Sequence, residues 1–241
     1  VSALTRDLAL CLIPPHTAAQ GHGPAGFDGV ILVEPMRDDP LVTHFETRNT
    51  PIVSIGLVPD RPDIPAVDIR SRETADLMLD HLARQSCQQV TALIGASPRM
   101  SQIEGALAYE GFVAARGMAS VALRLEEEAG EEAAYHQTRQ LLQVQPQIDG
   151  IFAAIDAFAS GAVRAAQDLG RPIPEGLRVV TRYDGLRAKL SRPPLTAVDL
   201  HLPDIAEQAV QLLFERIEGR AGSVRARMPE LVIRGSTRVQ A

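Results

Sequence analysis

Long apolar runs are missing from this 241-residue chain; it has no stretch of about 18 consecutive apolar residues, so no membrane-spanning helix is predicted. The first residues also lack a charged segment leading into an apolar run and a cleavage site, so no secretory leader is expected and the cytoplasm is the expected compartment. Cysteine is scarce. Cys11 and Cys87 lie far apart and show no metal-ligand spacing, which excludes a disulfide framework and suggests neither a metal nor a cofactor; both are expected to be buried or idle thiols. Lysine is nearly absent, Lys189 being the only one, so the positive charge is almost all arginine and is dispersed. With a formal net charge of −6, these residues are not expected to grip nucleic acid by themselves, because that binding depends on Lys and Arg neutralising phosphates. The motifs GxSxG, HExxH, GxGxxG and a Walker loop are all absent, and no nucleophile, base or metal set converges, so no catalytic residue is assigned and no enzyme is expected.

What is present is the composition of a soluble globular protein, 45% hydrophobic and 22% charged, able to bury one large core or two smaller ones. Short apolar, β-branched runs alternate with segments of helical period. "LALCLI", "DGVILV", "PIVSIGL", "VTALIG", "VALRL", "DGIFAAI" and "LRVVTRYD" read as strands. "MRDDPLVTHFETRN", where Leu41, Val42 and Phe45 recur at roughly helical spacing, reads as holding a short helix, and "SRETADLMLDHLARQS", "GALAYEGFVAARGM", "AAYHQTRQLLQVQ" and "DAFASGAVRAAQDLG" read as helices. Pro193 and Pro194 cannot sit inside a central strand, so they must precede one; "LTAV" follows as a strand and "HLPDIAEQAVQLLFERIEG" as a helix. Strands alternating with helices of this length predict an α/β protein with parallel sheets covered on both faces. The acidic run at Glu126, Glu127, Glu128, Glu131 and Glu132 reads as a solvated face.

Ligands of open parallel sheets bind outside the carboxyl ends of the strands. That rule selects Val33, Arg70, Arg99, Ile155, Asp156, Arg182 and Asp184. Three of these are arginines, whose guanidinium suits a carboxylate or phosphate, with the solvated loop arginine as the plainer reading. Asp156 opens a helix, where an aspartate serves as an N-cap.

The segments at 27–35, 76–95, 149–186, 193–219 and 230–238 resemble, in order and spacing, the effector-binding core of lactose-repressor-family transcription regulators. Several also resemble periplasmic sugar-binding proteins; "PPLTAV" paired with the later "RGST" is the more specific signal for the regulators. The resemblance implies two doubly wound parallel-sheet lobes joined by three crossovers with a ligand cleft between them. Residues 1–89 plus 202–222 would form the first lobe, without the family's opening strand and helix; 90–201 plus 223–241 would form the second. It also implies a small-molecule effector, a homodimer, and contact with DNA only through a helix-turn-helix domain absent from this chain. A periplasmic solute-binding protein is the alternative.

The resemblance further implies that Asp184, in "RYDG", meets ligand hydroxyls unless it pairs with Arg182, and that Ala108, Ile155 and Leu200 face the ligand. At those three positions the family often carries polar groups, Arg, Asn and Gln respectively. A site without these partners loses discrimination for sugar hydroxyls. The expected effector is therefore a smaller, less hydroxylated or anionic metabolite rather than a plain sugar.

Overall fold

A computed structural model describes residues 9–13, 26–220 and 222–238. The chain divides into two compact units, one of residues 1–70, 98–100 and 201–227, the other of residues 71–97, 101–200 and 228–241.

The first unit carries a parallel sheet in the order β1-β2-β3-β9, from β1 (Val30–Val33), β2 (Ile52–Ile55), β3 (Ala66–Asp68) and β9 (Val224–Arg225). Helix α1 (Pro40–Glu46) begins where Asp39 accepts from the Leu41 amide at 3.0 Å and Pro40 supplies a residue with no N–H to satisfy. Its buried Val42 and Phe45 join Leu32, Ile52, Val58 and Ile64 in the core. Among the described residues the other helix of this unit is α7 (Leu202–Ile217), which lies against β1, β2 and β3 and buries Ile205, Ala209 and Leu212. Leu213 of α7 reaches Gly29 closely enough that a side chain there would meet its Cδ1 at 2.7 Å and push the leucine aside.

The second unit holds six strands in the order β10-β8-β7-β6-β4-β5: β4 (Val90–Gly95), β5 (Ala122–Leu125), β6 (Gly150–Ala153), β7 (Arg178–Thr181), β8 (Thr196–Asp199) and β10 (Glu230–Val232). All pairs are parallel except β10 with β8. Every residue of β4 and β6 is buried, as expected of central strands covered on both faces. Alternate residues of β6 serve opposite sides. Ile151 and Ala153 enter a core with α4 (Gly130–Val144) and α5 (Asp156–Asp168), whereas Phe152 packs on Gly105 of α3 (Met100–Arg116). Phe158, Ile148 and Leu177 are fully buried in that α4–α5 core, each worth about 1.5–3 kcal/mol of burial.

The strand and helix alternation holds, with three differences. Residues 9–13 of "LALCLI" form no strand; Leu10 and Leu12 are 78% and 91% exposed while Ile13 packs against the core of the first unit, and Leu8 lies outside the described residues, as does most of "HTAAQGHGPAG". Cys11 is exposed and only Cys87 is buried. The units also differ in bounds from the expected lobes. Helix α2 (Ser71–Arg84) belongs to the second unit because Ala75, Met78, Leu79 and Leu82 are buried on a face that lies against β6, β7 and β8, while Val224 pairs with β3 of the first. The chain passes between units after Arg70, Leu200 and Arg227, and residues 98–100 are also counted with the first.

Candidate functional site

In the second unit, β7 ends at Thr181 and delivers Arg182, Tyr183 and Asp184 to a loop that enters the short helix α6 (Leu186–Leu190). The Asp184 amide donates to Val198 O at 3.0 Å, which ties the loop to β8. The Asp184 side chain, 14% exposed, does not pair with Arg182. Its Oδ1 forms an ion pair with Arg234 Nη2 at 2.5 Å, and its Oδ2 lies 3.4 Å from Lys189 Nζ.

Arg234 is held by the segment that follows β10. Its Nη1 donates to Leu195 O at 3.0 Å and its amide to Thr196 Oγ1 at 2.9 Å. Ser236 and Thr237 continue the attachment. Ser236 Oγ donates to Val179 O at 2.5 Å and accepts from the Thr196 amide at 2.8 Å; Thr237 Oγ1 stands 2.7 Å from Thr196 Oγ1 and 2.8 Å from His81 Nε2. The "RGST" string is therefore a strap, locked to β7, β8 and α2 by buried hydroxyls. Burial holds the His81 imidazole below its ordinary pKa, with the nearby Arg84 adding to the effect.

Arg182 is not a solvated loop arginine. It is 4% exposed, donates from Nη1 to Tyr183 Oη at 2.6 Å and lies with its guanidinium 4.9 Å from that ring's centre, while Nη2 reaches Ser71 Oγ at 3.5 Å. Asp156 is not the N-cap of α5 either. Ile155 occupies the cap with no side-chain bond, and Asp156, one residue further in, pairs with Arg187 at 3.7 Å, where its charge still favours the helix N-terminus. Arg187 also pairs with Glu131 at 2.8 Å, so part of the acidic run is committed rather than simply solvated. Asp156 Oδ2 comes within 4.0 Å of where a side chain on Gly185 would begin, so Asp156, Asp184 and Arg187 form one neighbourhood at the ends of β6 and β7. Ile155 packs on the α4–α5 core, while Ala108 and Leu200 are 1% and 4% exposed.

Val33, Arg70 and Arg99 lie in the first unit. Val33, closing β1, is 66% exposed. Arg99 donates from Nη1 to Glu34 O and forms an antiparallel bridge with Met36. Arg70 adopts a left-handed backbone, φ 53°, its amide capped by Asp68 Oδ1 at 2.9 Å and its Nε donating to Ala226 O at 2.6 Å. It stitches the end of β3 to the segment after β9. A cavity of about 340 Å³ lies along α7 beside Val224, lined by Glu207, Gln208, Gln211, Leu212 and Glu215, and none of the expected site residues borders it. Among the described residues no group of His, Cys, Asp and Glu is placed to hold a metal ion.

Sequence reasoning missed Arg234 and Lys189. Lys189 carries its own signal as the only lysine, and Arg234 stands in the "RGST" string already singled out for the resemblance.

Comparison with known proteins bears on these residues. Residues 79–237 match the family described as periplasmic binding protein-like domain. The ribose operon repressor of Halalkalibacterium halodurans is 30% identical over 217 residues, covering 88% of this chain and 62% of the repressor. The HTH-type transcriptional regulator CelR of Thermobifida fusca is 27% identical over 195 residues, 80% of this chain and 57% of CelR. This chain thus spans about three-fifths of the relatives it matches. Among solved structures, a LacI family transcriptional regulator from Mycobacterium smegmatis has a TM-score of 0.82 at 23% identity, covering 98% of this chain and 90% of that one. A CelR–cellobiose complex has a TM-score of 0.79 at 24% identity, covering 92% and 69%. These proteins are regulators; none is named as a transporter component or an enzyme. The chain belongs to the periplasmic binding protein-like domain family.

Proposed function

We propose that this chain senses a small metabolite in the cytoplasm and relays its presence to a helix-turn-helix domain outside these residues, controlling transcription as a homodimer. The effector contacts Asp184 at the carboxyl end of β7, and it is a small, sparsely hydroxylated or anionic metabolite rather than a neutral pentose or hexose. The observation that carries this reading is the state of Asp184, a carboxylate 14% exposed and held by Arg234 at a strand end, where ligands of such sheets bind. With a net charge of −6, the chain itself contributes no sequence-specific grip on DNA.

A thermal-shift screen of neutral sugars against sugar acids, sugar phosphates and small carboxylates tests the effector class. Stabilisation by an anionic class is expected. Micromolar stabilisation by a neutral hexose refutes that class, and loss of the response in Asp184→Asn is required of the anchor. Sedimentation at micromolar concentration tests the dimer, against which a 26.0 kDa species counts.

A further inference from the structure

The carboxylate of Asp184 is asymmetric. Its Oδ1 is buried and lies 2.5 Å from Nη2 of Arg234 as an ion pair without hydrogen-bond geometry, and Arg234 is itself only 18% exposed and anchored to Leu195 and Thr196. Its Oδ2 is left to Lys189, whose side chain is 50% exposed. An unencumbered carboxylate accepts two neighbouring hydroxyls, one on each oxygen, which is how it recognises a vicinal diol. Here one oxygen is buried beside the Arg234 guanidinium, and a ligand meets the other as a single acceptor with an ammonium beside it. The trio of Asp184, Arg234 and Lys189 also carries one positive charge in excess, since the adjacent Asp156 is paired separately with Arg187.

The geometry points to Arg234 as a positioning residue: it turns Asp184 edge-on so that Oδ2 and the Lys189 ammonium form an acceptor–cation pair selecting a hydroxy acid over the corresponding neutral polyol. The ligand hydroxyl donates to Oδ2, and the ligand carboxylate pairs with Lys189 by a charge-assisted hydrogen bond. This assignment rests on the reading that Asp184 meets the effector, and it names the chemistry on that residue.

The test is calorimetry on the 241-residue chain with glycerate, ribonate and gluconate against glycerol, ribitol and glucitol. At least one acid is expected to bind about tenfold or more tightly than its polyol, as one charge-assisted contact allows. Lys189→Met removes that gap, because it deletes the cation that the ligand carboxylate requires; it also deletes the Lys189–Asp184 ion pair, so the acid-to-polyol ratio rather than either affinity alone is the readout. Arg234→Gln also collapses the acid-to-polyol ratio, and Arg234→Lys restores part of it. A purely structural Arg234 would instead lower the melting temperature and leave the ratio unchanged, which overturns the assignment. Should Arg234→Gln not fold, the exposed Lys189→Met and the conservative Arg234→Lys still decide. If a polyol binds better than its acid, or if an acid binds with a ratio indifferent to Lys189, the assignment fails while the effector reading survives. If none of the six compounds binds, the assignment fails, and the effector reading is decided by the sugar phosphates and small carboxylates of the thermal-shift screen.

Discussion

Replacing Gly161 by alanine sets two physical rules against each other. Gly161 lies inside α5, where alanine is favoured over glycine by about 0.8–1.0 kcal/mol of helix propensity. On that rule alone the substitution stabilises. Yet the added carbon would stand 2.4 Å from Glu131 O, 2.7 Å from the Tyr135 amide nitrogen and 2.9 Å from Ala134 Cβ. Two of these are backbone atoms of α4, which cannot rotate aside. The helices must separate instead, loosening Ala134, Ala159 and Ala162, all fully buried. Overpacking of this kind costs about 1–3 kcal/mol, and rigid neighbours put it in the upper half of that range. Subtracting the propensity gain leaves a net loss of about 1–2 kcal/mol. In a chain of this size that lowers the melting temperature by about 2–8 °C. Urea denaturation followed by circular dichroism measures it. Gly111→Ala is the control, because it lies inside α3 where an added carbon meets nothing within 4 Å; it should gain about 0.5–1 kcal/mol. If both substitutions raise the midpoint alike, the close approach of α4 and α5 is wrong.

Burial, with the nearby Asp149 charge, pushes the Cys87 thiol up to about 12, whereas Cys11 is exposed; a thiol reagent at neutral pH should modify one cysteine promptly and the second only after denaturation. Thr237→Val removes a buried hydroxyl that stands within 2.8 Å of both His81 and Thr196, and chemical denaturation should record a loss of about 1–3 kcal/mol. His81 is buried with its pKa below the ordinary value of about 6.5, so as pH falls through that value the unfolded chain binds a proton that the native state refuses. Its contribution therefore destabilises progressively below about pH 6.5 and is nil above it, and His81→Gln should flatten that limb of the stability–pH curve.

The sheets were legible because their strands are short, wholly apolar runs separated by helices of regular period; "VTALIG" and "DGIFAAI" could hardly be anything else. The strands that escaped notice, β3, β9 and β10, have two or three residues each, too few for a period to register. They exist because a neighbour pairs with them, as β3 does with both β2 and β9. "LALCLI" failed for the opposite reason, since composition without a partner strand makes nothing of residues 9–13. At the site, the position of Asp184 after β7 could be read from its neighbours, but its partner could not. Arg182 is two residues away and Arg234 is remote in sequence, yet the pairing in space went to Arg234 because the strap beside β8 delivers it. Asp156 shows how a shift of one residue changes a role, from capping a helix to sitting in its first turn.

The edge strands also bear on the order in which the molecule can be made. The first unit receives β9 from residues just before 228, and the second receives β10 and the Ser236–Thr237 attachments from residues beyond it. During synthesis β8 is complete long before Arg234, Ser236 and Thr237 emerge, and at about 5–20 residues per second the interval lasts on the order of seconds. Throughout it the outer edge of β8 presents unpaired amides and carbonyls, the hydroxyl of Thr196 has no Ser236 or Thr237 beside it, and Asp184 stands without Arg234. A nascent chain stalled in that window is a sheet with an open, adhesive border and a carboxylate left to the half-exposed Lys189 alone, the state most exposed to aggregation and the one a chaperone has most reason to hold.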